Sequence, residues 1–156
     1  MKVNSQIRID KNVRLLAIGQ HEEETRNLAD ALAADYPISA APNIPEAAQR
    51  LEKEAFNVIL FDLADNESHL VDSIEKLQEY APRTPIIVVG PQHDSRLIVK
   101  AVKAGAFDFV TKPYPPEKIQ LSVRQALEHR SLKNEIDYLR REQDVVYDYE
   151  QIVAVS

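Results

Sequence analysis

Phe56-Asn57-Val58-Ile59-Leu60-Phe61-Asp62-Leu63 is the stretch on which the fold turns. Val58 to Phe61 are apolar without interruption, and the run ends on one aspartate. A strand with one wet face alternates apolar and polar residues. An unbroken run therefore reads as a strand covered on both faces, as in a parallel sheet. Helices on both sides of the sheet supply that cover.

The chain on either side repeats the pattern. Val13 to Ile18 reads as a first strand ended by Gly19. His21 to Ala34 reads as a helix with Leu28, Ala31 and Leu32 as its apolar stripe. Glu22, Glu23 and Glu24 stand in its first turn, where acids complement the helix dipole. Pro37 to Ala41 is a weaker strand. Pro45 to Ala55 is a helix with Ala47, Ala48 and Leu51 inward, and Pro45 suits its first position. After the decisive strand, Leu70 to Tyr80 reads as a helix and Pro85 to Val89 as a strand stopped by Gly90-Pro91. Ser95 to Ala104 is a helix with Gly105 as its C′ residue, Phe107 to Thr111 is a strand, and Pro115 or Pro116 opens a last helix. Five β–α units in series imply an α/β fold with a doubly wound parallel sheet and right-handed crossovers. The working crevice of such a sheet lies at the carboxyl ends of its strands, which singles out Gly19, Gln20, Asp62, Gly90 and Lys112.

Composition excludes several classes. The 156 residues suit one domain with an appendage, and 44% are apolar, enough for a core. Twenty-five acids against 19 Lys and Arg give a net charge of −6, which argues against direct nucleic-acid contact by this chain. No cysteine is present, so disulfides, thiolate zinc sites and cysteine nucleophiles are excluded. No apolar run approaches the roughly 20 residues of a membrane span, and Met1 to Asp10 lacks the apolar centre of a signal peptide. The expectation is a cytoplasmic protein without membrane contact.

Two stretches carry a resemblance. Phe56 to Leu63 is similar to the third strand of a response-regulator receiver domain, with Asp62 at the phosphoacceptor position. Ala101-Val102-Lys103-Ala104-Gly105-Ala106-Phe107-Asp108-Phe109-Val110-Thr111-Lys112-Pro113-Tyr114 resembles the receiver stretch that carries the active-site lysine. Thr84 to Val89 fits the fourth strand. The resemblance covers about residues 12–130 and implies a flavodoxin-like (βα)5 sheet of order 2-1-3-4-5. Ala126 to Glu135, with Leu139-Arg140-Arg141, is similar to the linker between receiver and ATPase in NtrC-type, sigma-54-dependent activators. Tyr149 to Ser156 resembles the opening of their AAA+ domain. The division expected is an N-terminal extension over 1–11, a receiver over 12–130, a coiled-coil-like linker helix over 131–147, and the start of an AAA+ domain over 148–156. The chain then reads as the N-terminal part of a longer regulator with attached AAA+ and DNA-binding domains.

The resemblance implies a phosphoryl group passed from a sensor histidine kinase to Asp62. It also implies an acidic pair after strand one holding Mg²⁺, a Ser or Thr after strand four, and Lys112 on the phosphoryl oxygens. It further implies a cis peptide at Lys112-Pro113. The acidic pair falls here on Gly19 and Gln20, and the hydroxyl position falls on Gly90. A proline and a glycine usual after the acceptor are Asn66 and Leu70. Phe109 matches the aromatic that switches rotamer, without its hydroxyl partner. Mg²⁺ takes hard oxygen ligands, so weak Mg²⁺ binding and no other cofactor are expected. The site is read as degenerate, with phosphorylation absent or weak and Asp62 paired to Lys112. The alternatives are a working phosphoacceptor at Asp62, or a ligand or metal sensor using a crevice opened by two glycines. For a metal, His21, His93, Asp62 and Asp94 are candidates, against solvated loop histidines as the plain reading.

Beyond His129, Leu132, Ile136 and Leu139 follow the 4,3 spacing of a coiled-coil seam. Six cations and five acids between Glu117 and Glu142 suit solvated flanks. A homodimer through this seam is expected. This fragment is read as regulatory and not as an enzyme.

Overall fold

A computed structural model of the chain describes residues 13–63, 69–91, 95–129 and 139. Its strands are β1 (Leu15–Ile18), β2 (Ile38–Ala41), β3 (Val58–Asp62), β4 (Ile86–Pro91) and β5 (Asp108–Lys112). Its helices are α1 (Glu22–Leu32), α2 (Ile44–Lys53), α3 (Leu70–Tyr80), α4 (Ser95–Ala104) and α5, described over 116–129. The five strands form one parallel sheet of order β2-β1-β3-β4-β5. That is the doubly wound order expected.

The unbroken apolar runs are explained by two cores. Leu16, Ile18, Ile59, Phe61, Val88 and Phe109 face α2, α3 and α4, meeting Ala47, Leu70, Ile74, Leu77, Leu97 and Ala101. Leu15, Ala17, Val58, Leu60, Ile87, Val89 and Val110 face α1 and α5, meeting Leu28, Leu32, Ile119, Val123 and Ala126. Successive strand residues point to opposite faces, so each central strand needs apolar residues at every position.

Boundaries move where local chemistry acts. α2 starts one residue early because the Asn43 side chain accepts the Glu46 N–H at 2.9 Å, a side-chain N-cap. Pro45 then falls within the first turn, where its missing N–H costs nothing. α1 stops at Leu32, short of Ala34. Gly90-Pro91 does not stop β4: the strand runs through both, with Gly90 opposite Thr111 and Pro91 opposite Lys112. A proline at the last strand residue has no further ladder bond to donate. β5 correspondingly ends on Lys112, whose peptide bond to Pro113 is cis. Gly105 has φ of +114°, the conformation expected of a C′ glycine.

Candidate functional site

Strand parity builds the site. Leu60 faces α1 and α5, so Asp62, two residues on, emerges on the same side at the carboxyl end of β3. Val110 likewise places Lys112 there, at the end of β5. Lys112 Nζ donates to Asp62 Oδ1 at 2.5 Å. The expected pair is therefore present across the ends of β3 and β5.

Lys112 has a second partner that was not singled out beforehand. Its Nζ also donates to Glu24 Oε2 at 3.1 Å. Glu22 and Glu23 are exposed, whereas Glu24 turns toward the sheet. The signal was in the helix period: Glu24 precedes Leu28 by four residues, so it prolongs the inward stripe Leu28-Ala31-Leu32 by one turn. Two carboxylates thus share one ammonium.

Asp62 is 6% exposed, and its Oδ2 has no hydrogen-bond partner among the described residues. Burial pushes its pKa up, and this outweighs the Lys112 hydrogen bond and charge, with Glu24 adding repulsion. For Lys112, burial acts downward, but the hydrogen bonds and charges of Asp62 and Glu24 exceed it and hold the ammonium above its usual range. Tyr114, beside them, is pushed up to about 12 by burial and by the charges of Asp62 and Glu24.

The space left by a missing side chain is filled at Gly90 and, on the Thr25 side, at Gly19, which still borders a cavity. A Cβ on Gly19 would stand 2.5 Å from Thr25 Oγ1 and 3.1 Å from Asp62 Cβ. Thr25, buried on α1, donates its hydroxyl to the His21 carbonyl and fills that space. A Cβ on Gly90 would stand 2.8 Å from Phe109 Cζ. Neighbouring side chains are close-packed at both positions. A cavity of about 110 Å³ lies beside Asp62 on the side of α2 and α3, bordered by Gly19, Gln20, Asn43, His69 and Ser73.

Gln20 is exposed, and Gly19 offers no ligand. With Oδ1 engaged by Lys112, Asp62 Oδ2 is the one free oxygen of that carboxylate. The positions of the expected acidic pair thus bring no carboxylate to this end of the sheet, where Asp62 and Glu24 share Lys112. Among the described residues no group of three or more His, Asp or Glu could hold a metal ion, and His93 and Asp94 lie outside them. Leu132 and Ile136 also lie outside the described residues, as does Asn66, while Leu139 is helical and exposed.

A parallel sheet of order 2-1-3-4-5, an aspartate closing β3 and a lysine closing β5 before a cis proline define a receiver. The family model for the response regulator receiver domain matches residues 15–124, and the chain belongs to that family. It is 26% identical over 144 residues to the regulatory protein AtoC of Escherichia coli K12, covering 92% of this chain and 31% of AtoC. Among solved structures, NtrX from Brucella abortus in complex with ADP has a TM-score of 0.76 at 20% identity, over 84% of this chain and 30% of that one. The beryllofluoride-activated NtrC4 receiver domain dimer has a TM-score of 0.68 at 28% identity, over 75% of this chain and 98% of that one. The chain spans about a third of the length of the curated relatives it matches.

Proposed function

We propose that this chain is the receiver part of a sigma-54-type transcription regulator whose output does not depend on phosphorylation of Asp62. The observation that carries the reading is the bridging of Lys112 by Asp62 and Glu24. Phosphoryl transfer to a carboxylate is catalysed by positioning and by cations that stabilise charge spread over the phosphoryl oxygens. In this chain the lysine's charge is already met by two carboxylates. The two positions where an acidic pair would hold Mg²⁺ carry Gly19 and Gln20, neither of them a carboxylate. Weak Mg²⁺ affinity belongs to the same reading.

The retained role is then architectural. The receiver orients the helix that leaves it after residue 129, and that helix sets how two subunits meet and how an attached ATPase assembles. The similarity to AtoC over 92% of the chain and the dimeric NtrC4 receiver domain support this reading. DNA binding and ATP hydrolysis fall to parts of the regulator beyond this sequence.

A second reading is a working phosphoacceptor at Asp62, whose buried Oδ2 has no hydrogen-bond partner among the described residues and would have to be uncovered before attack on a phosphodonor. One measurement separates the two. The chain is incubated with Mg²⁺ and a small phosphodonor such as acetyl phosphate, and its intact mass is recorded. The proposed reading expects no added phosphoryl group. A base-labile phosphoryl adduct that vanishes in Asp62→Asn establishes the second reading instead.

A further inference from the structure

Twelve residues precede Val13 and lie outside the described residues. Their sequence alternates. Met1, Val3, Ile7 and Ile9, which are all the apolar residues among them, are odd-numbered, and no even-numbered residue is apolar. An extended segment with this period has one apolar face and one wet face, and the apolar face needs cover. The segment is also basic, with Lys2, Arg8 and Lys11 against Asp10 alone.

The fold sets where this segment joins. Arg14 pairs with Glu54, and its guanidinium lies 5.2 Å from the centroid of the Phe56 ring. Glu54 and Phe56 border a hollow of about 450 Å³ below the start of β3. That hollow shares Glu52 and Tyr80 with a groove of about 600 Å³ between α2 and α3. Ile44, Pro45 and Ala48 line the groove on α2, and Tyr80, 42% exposed, lies at its lower end. Its rim carries Glu52 and Asp72 against one lysine, Lys76, and neither acid has an ion-pair partner among the described residues. The ten residues of α2 span about 15 Å, a length that about five extended residues cover. The twelve residues before Val13 are long enough to pass the hollow and fill the groove. The outer edge of β2 is a poorer seat for an extended segment. It is four residues long, and the Pro37 and Ala41 carbonyls face β1. The Ala40 carbonyl therefore faces outward, where it already accepts from Arg50 Nη1 at 3.3 Å.

We propose that residues 1–12 are an arm that docks in the α2–α3 groove of its own chain. Its odd-numbered apolar residues meet Ile44, Ala48 and Tyr80, and its cations lie along the acidic rim. The upper end of the groove shares Ile44, His69 and Ser73 with the cavity beside Asp62, so the docked arm covers that cavity on its α2–α3 side. The docking stands whether or not Asp62 accepts a phosphoryl group, and its test uses no phosphodonor.

The chain has no cysteine, so Gln6→Cys in the full chain carries a nitroxide at one place, on the polar face of the arm. Amide NMR signals of α2 and α3 around Ala48, Ser73 and Lys76 should lose most of their intensity while the nitroxide is oxidised, and regain it on reduction. Adding Ile7→Asp and Ile9→Asp, which lie outside the receiver core, should abolish that loss. When the nitroxide chain is mixed with an isotope-labelled chain that carries none, the labelled chain should keep its intensity. An α2–α3 groove without signal loss overturns the proposal, as does a loss that survives the two aspartates. Loss along β2 instead moves the arm to the sheet edge, and loss at the groove in the mixed sample gives the groove to a second copy's arm. Either result also overturns it.

Discussion

At Lys112 the two acids are unequal. Asp62 is almost wholly buried, whereas the Glu24 side chain is 44% exposed and keeps much of its hydration. Removing the cation therefore strands one buried carboxylate. Lys112→Met should cost about 3 kcal/mol at pH 7, read by urea denaturation. The pH dependence has a definite sign. Asp62 has a raised pKa when folded, so its contribution to stability is full below the unfolded value and is lost as pH rises through the folded one. The Lys112→Met deficit should accordingly shrink as pH is lowered through that range, because a protonated Asp62 needs no ammonium. Asp62→Asn removes the desolvated charge while Glu24 keeps Lys112 paired. Its stability at pH 7 should lie within about 1 kcal/mol of wild type, since replacing a buried charge by a neutral group of the same shape is close to neutral. A large loss in Asp62→Asn together with a small one in Lys112→Met would reverse this assignment. At the alkaline end, Lys112's own contribution is lost as pH rises through its raised folded pKa.

Helix ends and strand ends were the elements least legible in the sequence. The strands declared themselves through apolar runs, and α3 and α4 through their periodicity, with the bounds expected. Asn43 was overlooked as a cap because Pro45 gave the louder signal. Asn43→Ala should cost about 1 kcal/mol, seen as a lower urea midpoint at an unchanged denaturant slope. Gly90-Pro91 was read as punctuation, yet in a parallel pair both residues still find a register partner. Gly105 was legible because only a residue without a Cβ takes a φ of +114° at ease. Gly105→Ala should destabilise by about 1 kcal/mol or more, since the new methyl meets both that backbone and the Gln78 amide. Glu24 was missed for a different reason: its helix was read for apolar residues, and the stripe was not followed past Leu28 to a charge.

For the whole molecule, the two-faced core explains why alternation fixed the architecture while the site needed coordinates. Asp62 and Lys112 could be placed at one edge from topology alone. That Thr25 and Phe109 stand against the glycine positions depends on side-chain packing, which no spacing rule reports. Assembly is the remaining question at this scale. The full chain should scatter light as a dimer. Ile136→Asp, which sets two like charges in the apolar layer of the proposed seam, should give a monomer with the receiver still folded. A chain cut after Arg130 should also be monomeric. A monomeric full chain removes the seam, and a cut chain that stays dimeric moves the interface onto the receiver.

Thr25 packs directly over the open face of Gly19. Installing an aspartate at 19 forces Thr25 to turn away and surrender its bond to the His21 carbonyl, or forces the backbone apart. Gly19→Asp alone should therefore lower the melting temperature, and Thr25→Ala should recover much of the loss, as calorimetry of the two variants and their combination would show. Gly19, Thr25 and the His21 carbonyl thus act as one packed unit, and a carboxylate enters at 19 only where Thr25 gives way.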